Sequence, residues 1–242
     1  MKVFFSVFMI GATTMLFSPQ TALAYAGGTV TKGGTISGTI SFKGTPPAEP
    51  IIQVDKNIDY CGKTIPEDWY VVNKKDEVAN AVVLLEDISS GKPIDKSAVV
   101  QWDNHKCMFD PHVAIAVAGQ TLDIKNNDPI LHNTHFHMMP SGRTLFNEPL
   151  PFKGLSINKK QPIAHPGVVK VTCDAHHWML GYIYVNDNPY IDKTGDNGHF
   201  ELTDVPPGTY TLKIWHEKFG EHEEKVTVTA GGKVTVNYSF SK

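Results

Sequence analysis

Positive charge is scarce and scattered: 22 lysines and arginines stand against 25 acids, for a formal charge of −3, and no basic block occurs. Such a chain has no surface to neutralise a run of phosphates, so nucleic acid is not expected as a partner. Long apolar runs are also missing. Beyond the first two dozen residues nothing approaches the roughly 20 apolar residues of a spanning helix, so no membrane span is expected in the mature chain. Long amphipathic helices are excluded by the 16 prolines and 20 glycines that interrupt each candidate window. No Ser/His/Asp signature, nucleophile elbow, phosphate-cradling loop or HExxH motif is found, so an enzyme is not expected.

The opening "MKVFFSVFMIGATTMLFSPQTALA" has an early lysine, an apolar run and small residues at Ala22 and Ala24. It reads as a secretory leader over residues 1–24, with Ala26 as the other cleavage point. Export to the periplasm or beyond, an oxidising setting, is the expectation. With only three cysteines, one bridge and one remainder are possible. Cys173 lies among histidines and a methionine, which leaves Cys61 to pair with Cys107.

What the chain does have is strand signal. "GTISGTISFKG", "NAVVLLED", "HVAIAVA", "QTLDIKN", "VVKVTC", "YIYVND", "HFELTDV", "TYTLKIWHE", "EKVTVTA" and "KVTVNYSF" alternate or are rich in β-branched residues, with turn residues between them. The fold class is therefore all-β, of sandwich type. "NDNPYIDKTGDNG" marks a boundary. The expected organisation is an N-terminal β segment over 25–66, a first sandwich over 67–187 and a smaller one over 188–242. The N-terminal segment either completes the last sandwich or forms a hairpin of its own.

The chemistry concentrates in "VTCDAHHWMLGYIYV". Cys173, His176 and Met179 follow one another at intervals of three, and a thiolate, imidazoles and a thioether suit copper in both oxidation states. Another histidine must come from elsewhere, and His132 in "GQTLDIKNNDPILHNTHFHMM" is the candidate. His177, adjacent to His176, could replace it. His135 and His137 alternate along the next strand on the face of Asn133, not of His132; an accessory copper site there, with Met138 or Met139, stays open. Zinc is the rival metal, but one Cys and one Met do not match its usual paired Cys and His ligands.

The two segments "GQTLDIKNNDPILHNTHF" and "HPGVVKVTCDAHHWMLGYIYV" resemble the ligand segments of the cupredoxins, type-1 copper proteins of the amicyanin and plastocyanin kind. The likeness covers roughly residues 105–186. It implies a Greek-key β-sandwich with copper held by His132, Cys173, His176 and a distant Met179, and Asn133 tying the two ligand loops. It implies too that one imidazole reaches the surface as the electron route. The tail "GHFELTDVPPGTYTLKIWHEKFGEHEEKVTVTAGGKVTVNYSF" resembles a carboxypeptidase regulatory-like, transthyretin-type sandwich. Together these point to an exported carrier of single electrons, with one copper per chain and a redox partner such as a cytochrome or a periplasmic oxidoreductase. Copper storage or delivery, and a structural or binding module of an envelope complex, are the readings from other classes.

Overall fold

Alternation builds most of the chain. In Gly34–Lys43 the residues Gly34, Ile36, Gly38, Ile40 and Phe42 are buried, while the Thr and Ser residues between them are partly exposed. The computed structural model describes residues 25–48, 51–66 and 71–241. The expected leader lies outside the described residues. The molecule is all-β, and its strands form two sandwiches.

In the first sandwich, one sheet orders Ser156–Lys159, Thr121–Asn126, Val99–His105 and Met108–Asp110. The facing sheet orders Arg143–Leu150, His132–Met138, Gly167–Cys173, Leu180–Asn186 and Val113–Val117. Trp102, Leu122, Ile124, Phe136, Val171 and Ile183 fill the space between them. Each such side chain contributes about 1.5–3 kcal/mol by leaving water.

In the second sandwich, Ile191–Lys193, Val82–Glu86, Gly208–His216 and Gly220–Val228 form one sheet. His199–Val205 and Gly34–Lys43 form the other, with Lys233–Thr235 and Tyr238–Ser241 both running parallel to Gly34–Lys43. Ile36, Ile40, Val83, Leu85, Phe200 and Leu212 make its core.

The boundary expected at residue 67 falls later. Val82–Glu86 pairs with Gly208–His216 on one side and Ile191–Lys193 on the other, so it belongs to the second sandwich. The two sheets of the first sandwich are inserted whole between two strands that are antiparallel neighbours, with Leu84 opposite Ile191. Val82, Val83, Leu84 and Leu85 are all buried. Val83 and Leu85 face the second core, whereas Val82 and Leu84 meet Val113, Tyr184 and Trp215 where the two sandwiches touch. A strand covered on both faces shows no alternation, which is why its sequence does not announce its sheet.

The segment expected as a single N-terminal unit over 25–66 also divides. Gly34–Lys43 goes to the second sandwich, but Ile51–Gln53 and Thr64–Pro66 pair with each other, and Val54 and Ile65 join the first core. The helical turn Ile58–Cys61 lies between these two short strands. A disulfide from Cys61 to Cys107 staples it to the first sandwich.

Candidate metal centre

His132 opens its strand after a turn that is pinned at several points. The Asn126 side-chain amide donates to the carbonyls of Ile130 and Leu150, both at 2.8 Å, and the Asp128 N–H donates to Asn126 Oδ1 at 2.9 Å. Along His132–Met138, His132, Thr134 and Phe136 are buried, and Asn133, His135 and His137 lie on the other face. Cys173 ends the neighbouring strand, opposite Thr134. The chain then turns tightly: the His176 N–H donates to the Cys173 carbonyl at 3.3 Å and the Met179 N–H to the His176 carbonyl at 3.0 Å.

These two local structures bring three donor atoms together. Cys173 Sγ lies 3.8 Å from His132 Nδ1 and 3.7 Å from His176 Nδ1, and the two Nδ1 atoms are 3.1 Å apart. All three side chains are buried. A point equidistant from the three atoms would lie about 2.1 Å from each, the reach of transition-metal bonds to imidazole and thiolate.

The other ring nitrogens fix the tautomers. His132 Nε2 donates to Asp128 Oδ2 at 2.9 Å, and His176 Nε2 donates to Asn57 Oδ1 at 2.8 Å. With the hydrogens held outward, both Nδ1 lone pairs point inward at each other and at the sulfur. Two lone pairs at 3.1 Å repel unless a proton or a cation lies between them. The donor set therefore fits a soft-to-intermediate transition-metal ion.

Electrostatics agree with the geometry. Burial alone would raise the Cys173 thiol, but hydrogen bonding with His132 and His176 and from the Asn133 N–H outweighs it and holds the thiol at about 6. Burial likewise works against a charge on His132, yet the Asp128 carboxylate and Cys173 push its pKa up. For Asp128 burial favours the neutral acid, but donors from His132, Cys107, Tyr60 and Lys106 keep it ionised, with a pKa of about 2. That carboxylate accepts four hydrogen bonds: His132 Nε2 at 2.9 Å, the Tyr60 hydroxyl at 2.8 Å, and the N–H groups of Lys106 at 2.7 Å and Cys107 at 2.8 Å.

Met179 is buried in the same core. His177 is outside the cluster: its side chain is 70% exposed, with Nδ1 3.7 Å from Asp55. His135 and His137 are outside it too. Their rings lie 3.9 Å apart on the outer face, His135 against Asp174 and Thr144, and His137 against Thr172. Asn133 touches the sulfur through its backbone N–H at 3.3 Å, and its carbonyl accepts from the Asp174 N–H. Its side-chain oxygen has no hydrogen-bond partner among the described residues, so the tie between the loops is made by backbone.

The surface imidazole implied by the cupredoxin likeness is not found. His132 and His176 are both fully buried, because the 51–66 segment lays Asn57 over His176 and Tyr60 over Asp128. Asn57, Tyr60 and Asp128 were not singled out by the sequence. Asp128 has a local signal, an acid four residues before His132. Asn57 has none, standing 119 residues from the histidine it holds.

Residues 189–241 match the family described as the carboxypeptidase regulatory-like domain. Rhamnogalacturonate lyase A of Emericella nidulans is 40% identical over 64 residues, which are 26% of this chain and 12% of that protein. The chain thus spans only about an eighth of that relative's length. Among solved structures, a reduced Cu(I) form of an amicyanin mutant is 22% identical and covers 39% of this chain and 86% of its own, at a TM-score of 0.32. A purple cupredoxin from Nitrosopumilus maritimus is 24% identical and covers 37% of this chain and 100% of its own, at 0.31. Auracyanin A from Chloroflexus aurantiacus is 16% identical and covers 37% and 99%, at 0.31.

Proposed function

We propose that this chain is an exported type-1 copper protein that carries single electrons between redox partners. The observation that carries the reading is the convergence of one thiolate and two imidazole lone pairs on a common point, with both outer ring hydrogens held away by Asp128 and Asn57. In this reading His132, Cys173 and His176 are the ligands and Met179 a weak fourth. Copper bound there would supply one-electron redox chemistry. The protein's own residues hold the donors in place: the Asn133 N–H donates to the sulfur, and the Asp128 and Asn57 acceptors stop the rings from turning. Rings fixed from outside cannot rearrange when the charge at the centre changes, and that lowers the reorganisation an electron carrier must undergo.

The test is copper loading of the mature chain. One Cu(II) per chain should give the intense blue absorption at about 600 nm that the cupredoxin likeness implies, and Cys173→Ser should abolish the colour while the fold persists. A colourless Cu(II) form would sink the proposal. The His135–His137 pair on the outer face favours copper storage as a second reading, which predicts more than one tightly held copper per chain.

A further inference from the structure

The second sandwich reaches back to the metal loop through one buried pair. Glu217 follows the strand Gly208–His216 of the second sandwich, and His112 precedes the strand Val113–Val117 of the first. Glu217 Oε1 and His112 Nε2 are in direct contact, with the two side chains only 1% and 9% exposed. The other ring nitrogen, Nδ1, donates to the carbonyl of Leu180 at 3.1 Å. Both ring nitrogens thus face oxygen atoms, so the imidazole is held from two sides.

His112 grips the same stretch a second time, its own carbonyl accepting from the Tyr182 N–H at 2.9 Å. Between the two contacts stands Gly181, where a β-carbon would come within 2.8 Å of both the His112 carbonyl and the Trp102 ring. His112 therefore lies tight against Leu180–Tyr182, the residues that begin directly after Met179. A buried polar pair is a poor device for stability, since desolvation offsets most of its attraction. Its better-attested use is to fix one arrangement against others.

We propose that Glu217 is a positioning residue for the metal loop: acting through His112, it fixes the Leu180 carbonyl and so the end of the loop at Met179. The proposal rests on the copper reading only where it concerns the metal. It gives the second sandwich a role at the centre, because the group that sets the loop's far end is not part of the domain that holds the ligands.

The experiment compares the wild-type chain with Glu217→Gln, which keeps shape but replaces the carboxyl group with an amide. In the metal-free protein, hydrogen exchange of the Met179 and Tyr182 amides should rise about ten- to a hundredfold, as expected when a buried polar group loses its partner. Exchange in the Gly167–Cys173 strand should stay within about twofold of wild type. With Cu(II) alone added, the variant should bind one ion yet show altered relative intensities of its charge-transfer bands, a change that a merely structural contact would not produce. Unchanged exchange at Met179 and Tyr182, or a uniform rise across the whole molecule, would overturn the proposal. Should the variant fail to fold, Glu217→Asp, which keeps the carboxyl group but shortens the reach, is read by the same two measurements. If the wild-type chain binds no copper, the reading of the centre fails, while the exchange comparison still decides the role of Glu217.

Discussion

Replacing Asp128 with Asn separates two explanations of that buried carboxylate: a space-filling turn residue, or the acceptor around which the candidate-site end of the first sandwich is organised. The four groups around it are all donors, two on each oxygen. Oδ2 takes His132 Nε2 and the Cys107 N–H, and Oδ1 takes the Tyr60 hydroxyl and the Lys106 N–H. An asparagine has one acceptor oxygen and one NH₂, so whichever way it turns, two donors face its amide hydrogens. The favoured orientation keeps the oxygen on the His132 and Cys107 side, because Tyr60 is 42% exposed and can turn toward water. Two hydrogen bonds to a charged acceptor are then lost, at about 1.5–3 kcal/mol each, for a total of about 3–6 kcal/mol. Tyr60→Phe removes one of these bonds at a partly exposed site and should cost about 1 kcal/mol. Urea unfolding of the metal-free protein, followed by tryptophan fluorescence, measures both, since Trp102 is buried in this core. Asp128→Asn within about 1 kcal/mol of wild type, or a cost below that of Tyr60→Phe, would refute the account of Asp128 as a four-donor acceptor.

Asn57→Gly keeps the left-handed backbone, φ 52°, but deletes the acceptor of His176 Nε2, so copper should leave to a chelator several-fold faster, as stopped-flow absorbance would record. A doubly substituted Cys61→Ser, Cys107→Ser chain loses a bridge of 46-residue separation, a loss of at most about 4 kcal/mol in urea unfolding; an unchanged midpoint would mean that the 51–66 segment is held by packing alone. His216 is pushed down to about 3, first by burial and then by nearby His112. Its folded-state pKa lies below that of the unfolded chain, so the stability it carries is fully present above about pH 6.5 and is lost as pH falls toward 3. Wild type should therefore lose up to about 1.4 kcal/mol per pH unit across that window relative to His216→Gln, measured by urea unfolding at stepped pH.

Much of the architecture is readable where the determinant is local. The period of two in Gly34–Lys43 and the triplet spacing from Cys173 to Met179 lie within a few residues of what they specify. His132 is found because its chemistry demanded a partner and a strand start supplied one. The cover over the centre is not readable in this way. Asn57 caps a four-residue helical turn with no pattern of its own, and its place over the centre is set by how that turn is tied to the first sandwich, through the Cys61–Cys107 bridge. Val82–Glu86 is legible as a strand but not as to its sheet, since burial on both faces removes the alternation that would point to one core.

The insertion of one sandwich between two paired strands of the other has a mechanical consequence. Gly34–Lys43 and Tyr238–Ser241, near the two ends of the described chain, run parallel and side by side, from Ile40 opposite Tyr238 to Lys43 opposite Ser241. Tension applied at Gly34 and Ser241 pulls the two strands in shear, so their hydrogen bonds carry the load together and do not open one by one. The insert with the candidate metal centre hangs off this path as a side loop. A single-molecule pulling trace should show the second sandwich yielding first, with the extension of residues 99–186 released only afterwards. The centre would thus keep its geometry while the chain around it bears strain.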